Sequence, residues 1–231
     1  MPEKIIGILG GMGPEATIDL FYKIIKFTPA EKDQDHLRII IDNNPKIPDR
    51  TAAILGKGED PIPALRETAQ NLEKAGADFI IIPCNTAHYF LPSIRESVKI
   101  PILNMIEETA KETRKKISPI QKVGLLASAG VYKTKIYHQH FKKFNIEVIS
   151  PEEKDKEKVM KVIYAVKAGN LSKEIKKNIL KIAQKLIDKG AESIIAGCTE
   201  IPLILKEGDI SVPLIDPTQV LAKAAVQKAK L

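Results

Sequence analysis

Residues 69–84 read AQNLEKAGADFIIIPC, and residues 183–198 read AQKLIDKGAESIIAGC. Aligned without a gap, eight of the sixteen positions are identical, the closing cysteine among them. Downstream, Ile100-Pro101-Ile102-Leu103-Asn104 is answered by Val212-Pro213-Leu214-Ile215-Asp216. Upstream, Ile6-Gly7-Ile8-Leu9 is answered by Val123-Gly124-Leu125-Leu126. Three matches in one order mark an internal duplication, and a repeat constrains a fold before any single element does.

Each copy reads as alternating strand and helix. Helical spacing from Ala64 to Lys74 stops at Gly76, a residue suited to a helix C-cap, and Phe79 to Ile82 is a short apolar run of strand type. Working outward, Lys4 to Leu9 reads as a buried strand closed by glycines. Pro14 to Phe27 reads as a helix with proline in its first turn, and Arg38 to Ile41 as a second strand. In the second half the strands fall near Val123–Leu126, Glu147–Ile149 and Ser193–Ala196. Helices between successive strands imply parallel sheets covered on both faces. The expected architecture is therefore α/β, with two similar parallel-sheet domains related by a pseudo-twofold duplication. Their expected extents are 1–116 and 117–216, joined near 116–120, with a C-terminal helix within 217–231 that could fold back onto the first domain.

Ligands of open parallel sheets bind beyond the carboxyl ends of the strands, and Cys84 and Cys198 each stand at such an end. Domains packed face to face would bring both thiols to one active-site cleft. Inverting a carbon stereocentre means removing a proton from one face and returning one to the other, which two groups of similar proton affinity can do in both directions. A thiol can serve because its reference pKa of about 8.5 is lowered by helix N-termini or nearby cations.

Composition narrows the alternatives. The 231 residues are 44% hydrophobic and 28% charged, as in a soluble globular protein. No apolar run reaches membrane-spanning length, and a strand pattern starting at Lys4 leaves no room for a signal peptide, so a cytoplasmic location is expected. The formal charge is +7, but the lysines are mixed with acids, as in residues 151–158, and only five arginines occur. With 5% aromatics this is a solvated mixed-charge surface, not the footprint of a nucleic-acid or membrane partner. Two cysteines do not make a disulfide framework.

The segments Pro83-Cys84-Asn85-Thr86-Ala87-His88 and Gly197-Cys198-Thr199-Glu200-Ile201-Pro202 resemble the paired cysteine motifs of the aspartate/glutamate racemase superfamily. Gly10-Gly11-Met12-Gly13-Pro14-Glu15-Ala16-Thr17 and Asn44-Pro45-Lys46-Ile47-Pro48-Asp49-Arg50-Thr51 resemble its aspartate racemase branch. Glutamate racemases differ at the N-terminal motif and usually carry His where this chain has Glu200. The resemblance runs nearly the whole length. It implies an isomerase that interconverts L- and D-aspartate, with glutamate or other amino acids as further substrates. Its mechanism would be two-base, with Cys84 and Cys198 on opposite faces of the α-carbon. It also implies a homodimer that uses neither pyridoxal phosphate nor a metal. By the same resemblance Arg50 and Lys167 are substrate-carboxylate ligands, and Met12, Asn85, Thr86, Ser128 and Thr199 line the pocket. His88 and Glu200, close behind the cysteines, are auxiliary candidates.

Other readings stand beside this one. Gly11, Gly13 and Ala16 satisfy a dinucleotide-binding pattern, but the expected acid is missing, Asp42 falling too late, so a tight turn is the better account. His138 and His140 lack a third metal ligand nearby and read as surface helix residues. Arg50 lies in the Pro- and Gly-containing stretch 43–63, a candidate mobile loop over the cleft. Two competing functions remain: a non-catalytic dicarboxylate binder, which would keep Arg50 and Lys167 but not need two matched thiols, and a decarboxylase or isomerase on the same scaffold. The decarboxylases that the resemblance brings in work with a single cysteine, whereas this chain has both.

Overall fold

The computed structural model describes residues 3–117 and 119–231. The chain divides into two compact units, Met1–Glu108 with Thr218–Leu231, and Thr109–Pro217. In the first, β1 (Ile6–Gly10), β2 (Ile39–Asn43) and β3 (Phe79–Ile81) form a parallel sheet in the order β2-β1-β3. In the second, β4 (Lys122–Ala127), β5 (Glu147–Ile149), β6 (Ile194–Gly197) and β7 (Leu214–Ile215) run parallel in the order β5-β4-β6-β7. The apparent difference in strand number is small. Ile102 bridges Ile80 as Leu214 pairs with Ile194. The Ile80 and Ile194 N–H groups donate to Pro101 O and Pro213 O at 2.9 and 3.0 Å.

The helices of the first unit are α1 (Pro14–Phe27), α2 (Arg50–Ile54), α3 (Ile62–Lys74) and α4 (Leu91–Arg95), with a 3₁₀ turn at Thr86–Phe90. The next, α5 (Met105–Lys116), crosses the division between the units. The second unit holds α6 (Ala129–Thr134), α7 (Ile136–Lys142), α8 (Glu153–Lys167), α9 (Lys173–Asp188) and α10 (Ile201–Ile204). The last helix, α11 (Pro217–Ala229), returns to the first unit. There Leu221, Ala222, Ala225 and Val226 pack with Ile6, Ile8, Phe79 and Ile81, and Lys4 N–H donates to Ala229 O at 2.9 Å.

The duplication is visible atom by atom. Leu72 and Leu186 are buried, and each carbonyl accepts from the alanine after the helix-ending glycine, Ala77 at 3.1 Å and Ala191 at 3.0 Å. Gly76 and Gly190 both take positive φ, 94° and 93°, as the C-cap reading of Gly76 anticipated. Asp78 and Glu192 accept from the backbone N–H of Ile5 and Lys122 at 2.6 and 2.9 Å, sealing the start of the central strand in each unit. The matching glycines Gly7 and Gly124 have a packing cause. A Cβ at Gly7 would lie 2.9 Å from the Ala77 side chain, and one at Gly124 would lie 2.9 Å from Leu186 Cβ. Only glycine lets helix and central strand approach this closely.

Three expectations need correction. β1 starts two residues later than read and β2 one residue later, because the ladder begins where Ile6 meets both Ile39 and Phe79. The stretch 43–63 is not a plain loop, since Asp49 caps α2 by accepting from Ala52 N–H at 2.7 Å. The units divide within α5, not at 116–120, a junction in which Ser118 lies outside the described residues. Met105 belongs to the first unit's core, whereas Thr109 bonds to Tyr137 of the second.

In the second unit Asp155 ties α8 to α9. Its carboxylate accepts from Lys185 Nζ at 2.6 Å and Lys158 Nζ at 2.9 Å, and its side chain is only 4% exposed. The hydrogen bond from Lys185, followed by that from Lys158, holds this carboxyl below the usual carboxylate range. A depressed folded pKa adds stability above the unfolded value and loses it as pH falls through the folded one. Asp155→Asn is therefore expected to lower the melting temperature at pH 7. The gap from wild type should close as the pH drops below about 3.9. A gap that stays constant from pH 7 to pH 2 in thermal melts would show that the carboxylate charge is not what stabilises this helix pair.

Candidate active site

The first unit assembles its candidates around Cys84. Just past β3, the Cys84 N–H turns back to donate to Ile82 O at 2.8 Å. The sulfur-bearing side chain packs in a cluster with Met12, Ile47, Ala87 and Phe90. Asn85 and Thr86 follow, both buried. The α2 helix packs on this 3₁₀ turn and carries Arg50 at its start. Arg50 Nη1 donates to Ile47 O at 3.0 Å and Pro48 O at 2.8 Å, which fixes the guanidinium. Its Nε is buried and has no protein partner among the described residues. With Nη1 occupied by the two carbonyls, Nε is left as a buried donor that no described protein group satisfies.

His88, the auxiliary candidate behind Cys84, bonds to backbone at both ring nitrogens. Its Nδ1 meets Cys84 O at 2.8 Å, and its Nε2 accepts from Met105 N–H at 3.0 Å. The acceptor role of Nε2 assigns the proton to Nδ1, so the ring is a neutral staple between the cysteine turn and the start of α5. It holds the backbone of Cys84.

The glycine loop after β1 explains itself without a nucleotide. Gly11 takes φ +92°, and a Cβ there would lie 2.3 Å from the Asn44 backbone. Gly11 N–H donates to Thr17 Oγ1 at 2.9 Å, and that hydroxyl donates to Gly13 O at 3.1 Å. The loop is built to seat the Asn44-to-Arg50 segment beside Met12.

The second unit repeats the plan with different side chains. Ser128, directly after β4, caps α6 by accepting from Val131 N–H at 3.4 Å. Cys198 follows β6 and is partly buried. Its Sγ donates to Glu200 Oε2 at 2.8 Å, and Thr199 Oγ1 donates to the same oxygen at 3.3 Å. Lys167, at the end of α8, stands 3.7 Å from Glu200 Oε1. The α8 helix packs against both α6 and α10, which gathers Ser128, Lys167, Cys198, Thr199 and Glu200.

Two buried phenols near Cys198 went unread in the sequence. Tyr132 OH accepts from Ala127 N–H at 2.8 Å and donates to Leu125 O at 3.1 Å, bracing the end of β4. Burial pushes its phenol well above the ordinary range, outweighing the hydrogen bond from Ala127 that lowers it. Tyr137 is fully buried and shifted the same way, chiefly by burial. The repeat offered no signal for either, because it matches the strands and not α6 and α7.

His138 contacts Ser150 Oγ at 3.4 Å and His140 Nδ1 contacts Ile136 O at 2.9 Å, both from α7. Among the described residues no group of three or more His, Cys, Asp or Glu could hold a metal ion, and no helix is long and apolar enough to cross a membrane.

Two parallel α/β units, each carrying a cysteine just past the corresponding strand, define the class as a duplicated α/β protein. Residues 9–225 match the Asp/Glu/hydantoin racemase family, and the chain belongs to it. Racemases are isomerases, and so is this protein. The chain is 31% identical over 228 residues to the broad-specificity amino-acid racemase RacX of Bacillus subtilis, covering 96% of each sequence. The structure of the Picrophilus torridus aspartate racemase matches with a TM-score of 0.87 at 36% identity, over 98% of this chain and 94% of that one. An aspartate racemase homologue from Pyrococcus horikoshii matches at 0.79 and 28% identity, over 99% of this chain and 100% of that one.

Proposed function

We propose that this racemase interconverts L- and D-aspartate by a two-base mechanism, with Cys84 facing one side of the α-carbon and Cys198 the other. The observation that carries the reading is the equivalence of the two thiols, each placed directly after the matching strand of a duplicated unit. A thiolate removes the α-hydrogen from one face while the opposite thiol delivers a proton to the other. The negative charge that develops at the α-carbon and its carboxylate needs fixed cations, since preorganised charge is worth most where water is excluded. Arg50, locked by two carbonyls, supplies a fork, and Lys167 supplies a point charge. One cation per unit suits a substrate with two carboxylates. In this reading the thiols provide both acid and base, so neither pyridoxal phosphate nor a metal is required.

A wider amino-acid range is the second reading, favoured by the similarity to a broad-specificity relative. Incubation in deuterated water separates them. L-aspartate is expected to lose optical activity and gain deuterium at the α-carbon, followed by polarimetry and mass spectrometry. Exchange of other amino acids at comparable rates would replace aspartate specificity with breadth. No exchange into any amino acid would leave the binder reading.

A further inference from the structure

Building on the two-thiol reading, we propose that Glu200 holds Cys198 in its protonated form, making it the proton donor of the resting enzyme, a constraint that Cys84 does not share. Cys198 Sγ and Glu200 Oε2 are 2.8 Å apart. An ionised carboxylate can only accept, so the hydrogen in this contact belongs to sulfur. Ionising Cys198 would set a second negative charge against the first, and like charges at this distance oppose ionisation. Thr199 donates to the same oxygen, which fixes the carboxylate in place. Glu200 is only 7% exposed, so water does little to screen it. Lys167, 3.7 Å from the other oxygen, offsets part of the charge.

The groups facing Cys198 from neighbouring helices do not alter this balance. Tyr132 on α6 and Tyr137 on α7 are pushed upward by burial and stay neutral, while Asp216 lies beside Tyr137. Near neutral pH the field at Cys198 is thus set chiefly by Glu200 and Lys167.

The repeat shows that this is particular to one thiol. Thr86 stands where Glu200 would be, and Asn85 where Thr199 would be. Among the described residues no carboxylate contacts Cys84, whose cluster is Met12, Ile47, Ala87 and Phe90. In the direction where Cys198 is the acid, its S–H bond breaks, a C–H bond forms at the α-carbon, and the electron pair stays on sulfur. In the reverse direction Cys198 must first lose its proton. Glu200 Oε2 is the acceptor in place, an O–H bond forming as S–H breaks.

The pH dependence of iodoacetamide alkylation, read separately for each cysteine by peptide mass spectrometry, tests the assignment without relying on racemisation. Glu200→Gln is expected to lower the alkylation midpoint of Cys198 by about one pH unit or more, leaving that of Cys84 in place. Lys167→Met, which removes the cation 3.7 Å from Glu200, should raise the Cys198 midpoint. An unmoved or raised midpoint in Glu200→Gln overturns the proposal, as does an equal shift at both cysteines. If Glu200→Gln fails to fold, an unmoved or lowered Cys198 midpoint in Lys167→Met overturns it instead. Should alkylation behave as expected while no amino acid is racemised, the two-thiol reading fails and the Glu200–Cys198 pairing stands.

Discussion

Replacing either cysteine by alanine is expected to cut aspartate racemisation by about a thousand-fold or more, since a positioned acid or base is worth about 10²–10⁴-fold and inversion needs one of each. The more telling result is stereochemical. With a single thiol left, a proton can leave and return only on that thiol's side, so α-hydrogen exchange continues without inversion. Cys84→Ala and Cys198→Ala should therefore each wash deuterium into one enantiomer, and the enantiomers should be opposite. Chiral chromatography with mass detection reads both quantities at once. If both variants label the same enantiomer, or either turns over normally, the thiols do not act on opposite faces.

The second large effect is expected at Arg50. Its guanidinium is pinned by Ile47 O and Pro48 O, and the buried Nε edge has no protein partner among the described residues. A donor held this way carries a desolvation cost until a ligand satisfies it. Truncating one partner of a buried, hydrogen-bonded charge pair costs about 2–5 kcal/mol, so Arg50→Leu should lower kcat/KM by about 10²-fold or more. Arg50→Lys keeps the charge but loses the fork, and should recover only part of the loss. Lys167→Met, at a more exposed cation, should cost about tenfold, because solvent weakens its contribution. Steady-state kinetics with circular dichroism as a folding control would check the series. Unchanged kcat/KM in Arg50→Leu would reduce Arg50 to a brace for the Ile47–Pro48 turn.

Most of the architecture was open to reading because it follows from local rules applied twice. Helical spacing ending at a glycine, then a short apolar strand, then a cysteine, is a pattern that the backbone can satisfy in few ways. Writing it at 69–84 and again at 183–198 leaves little freedom in sheet order. Pro14 to Phe27 was legible to the residue for the same reason, with proline opening the helix and apolar residues at regular spacing. Element ends were less legible. Where a parallel strand starts depends on its partners, as Ile6 with Ile39 and Phe79 shows.

The chemistry of the side chains was divided in the same way. Composition and order along the chain were enough to single out Cys84 and Cys198, since a duplicated position marks a residue without reference to its surroundings. The tasks of their neighbours came only from the folded chain. His88 is spaced to assist a thiol, yet both its nitrogens hold backbone groups that lie seventeen or fewer residues away in sequence and meet only when α5 docks. Glu200 was an auxiliary candidate by its place after a cysteine, but its short contact with sulfur depends on the turn into α10. Tyr132 and Tyr137 carried no pattern at all, because a phenol becomes informative only once burial has removed its water. Hydrophobic periodicity and repetition are properties of the chain and survive unfolding, whereas hydrogen-bond partners, proton ownership and local fields exist only between groups that tertiary packing has brought within a few ångströms.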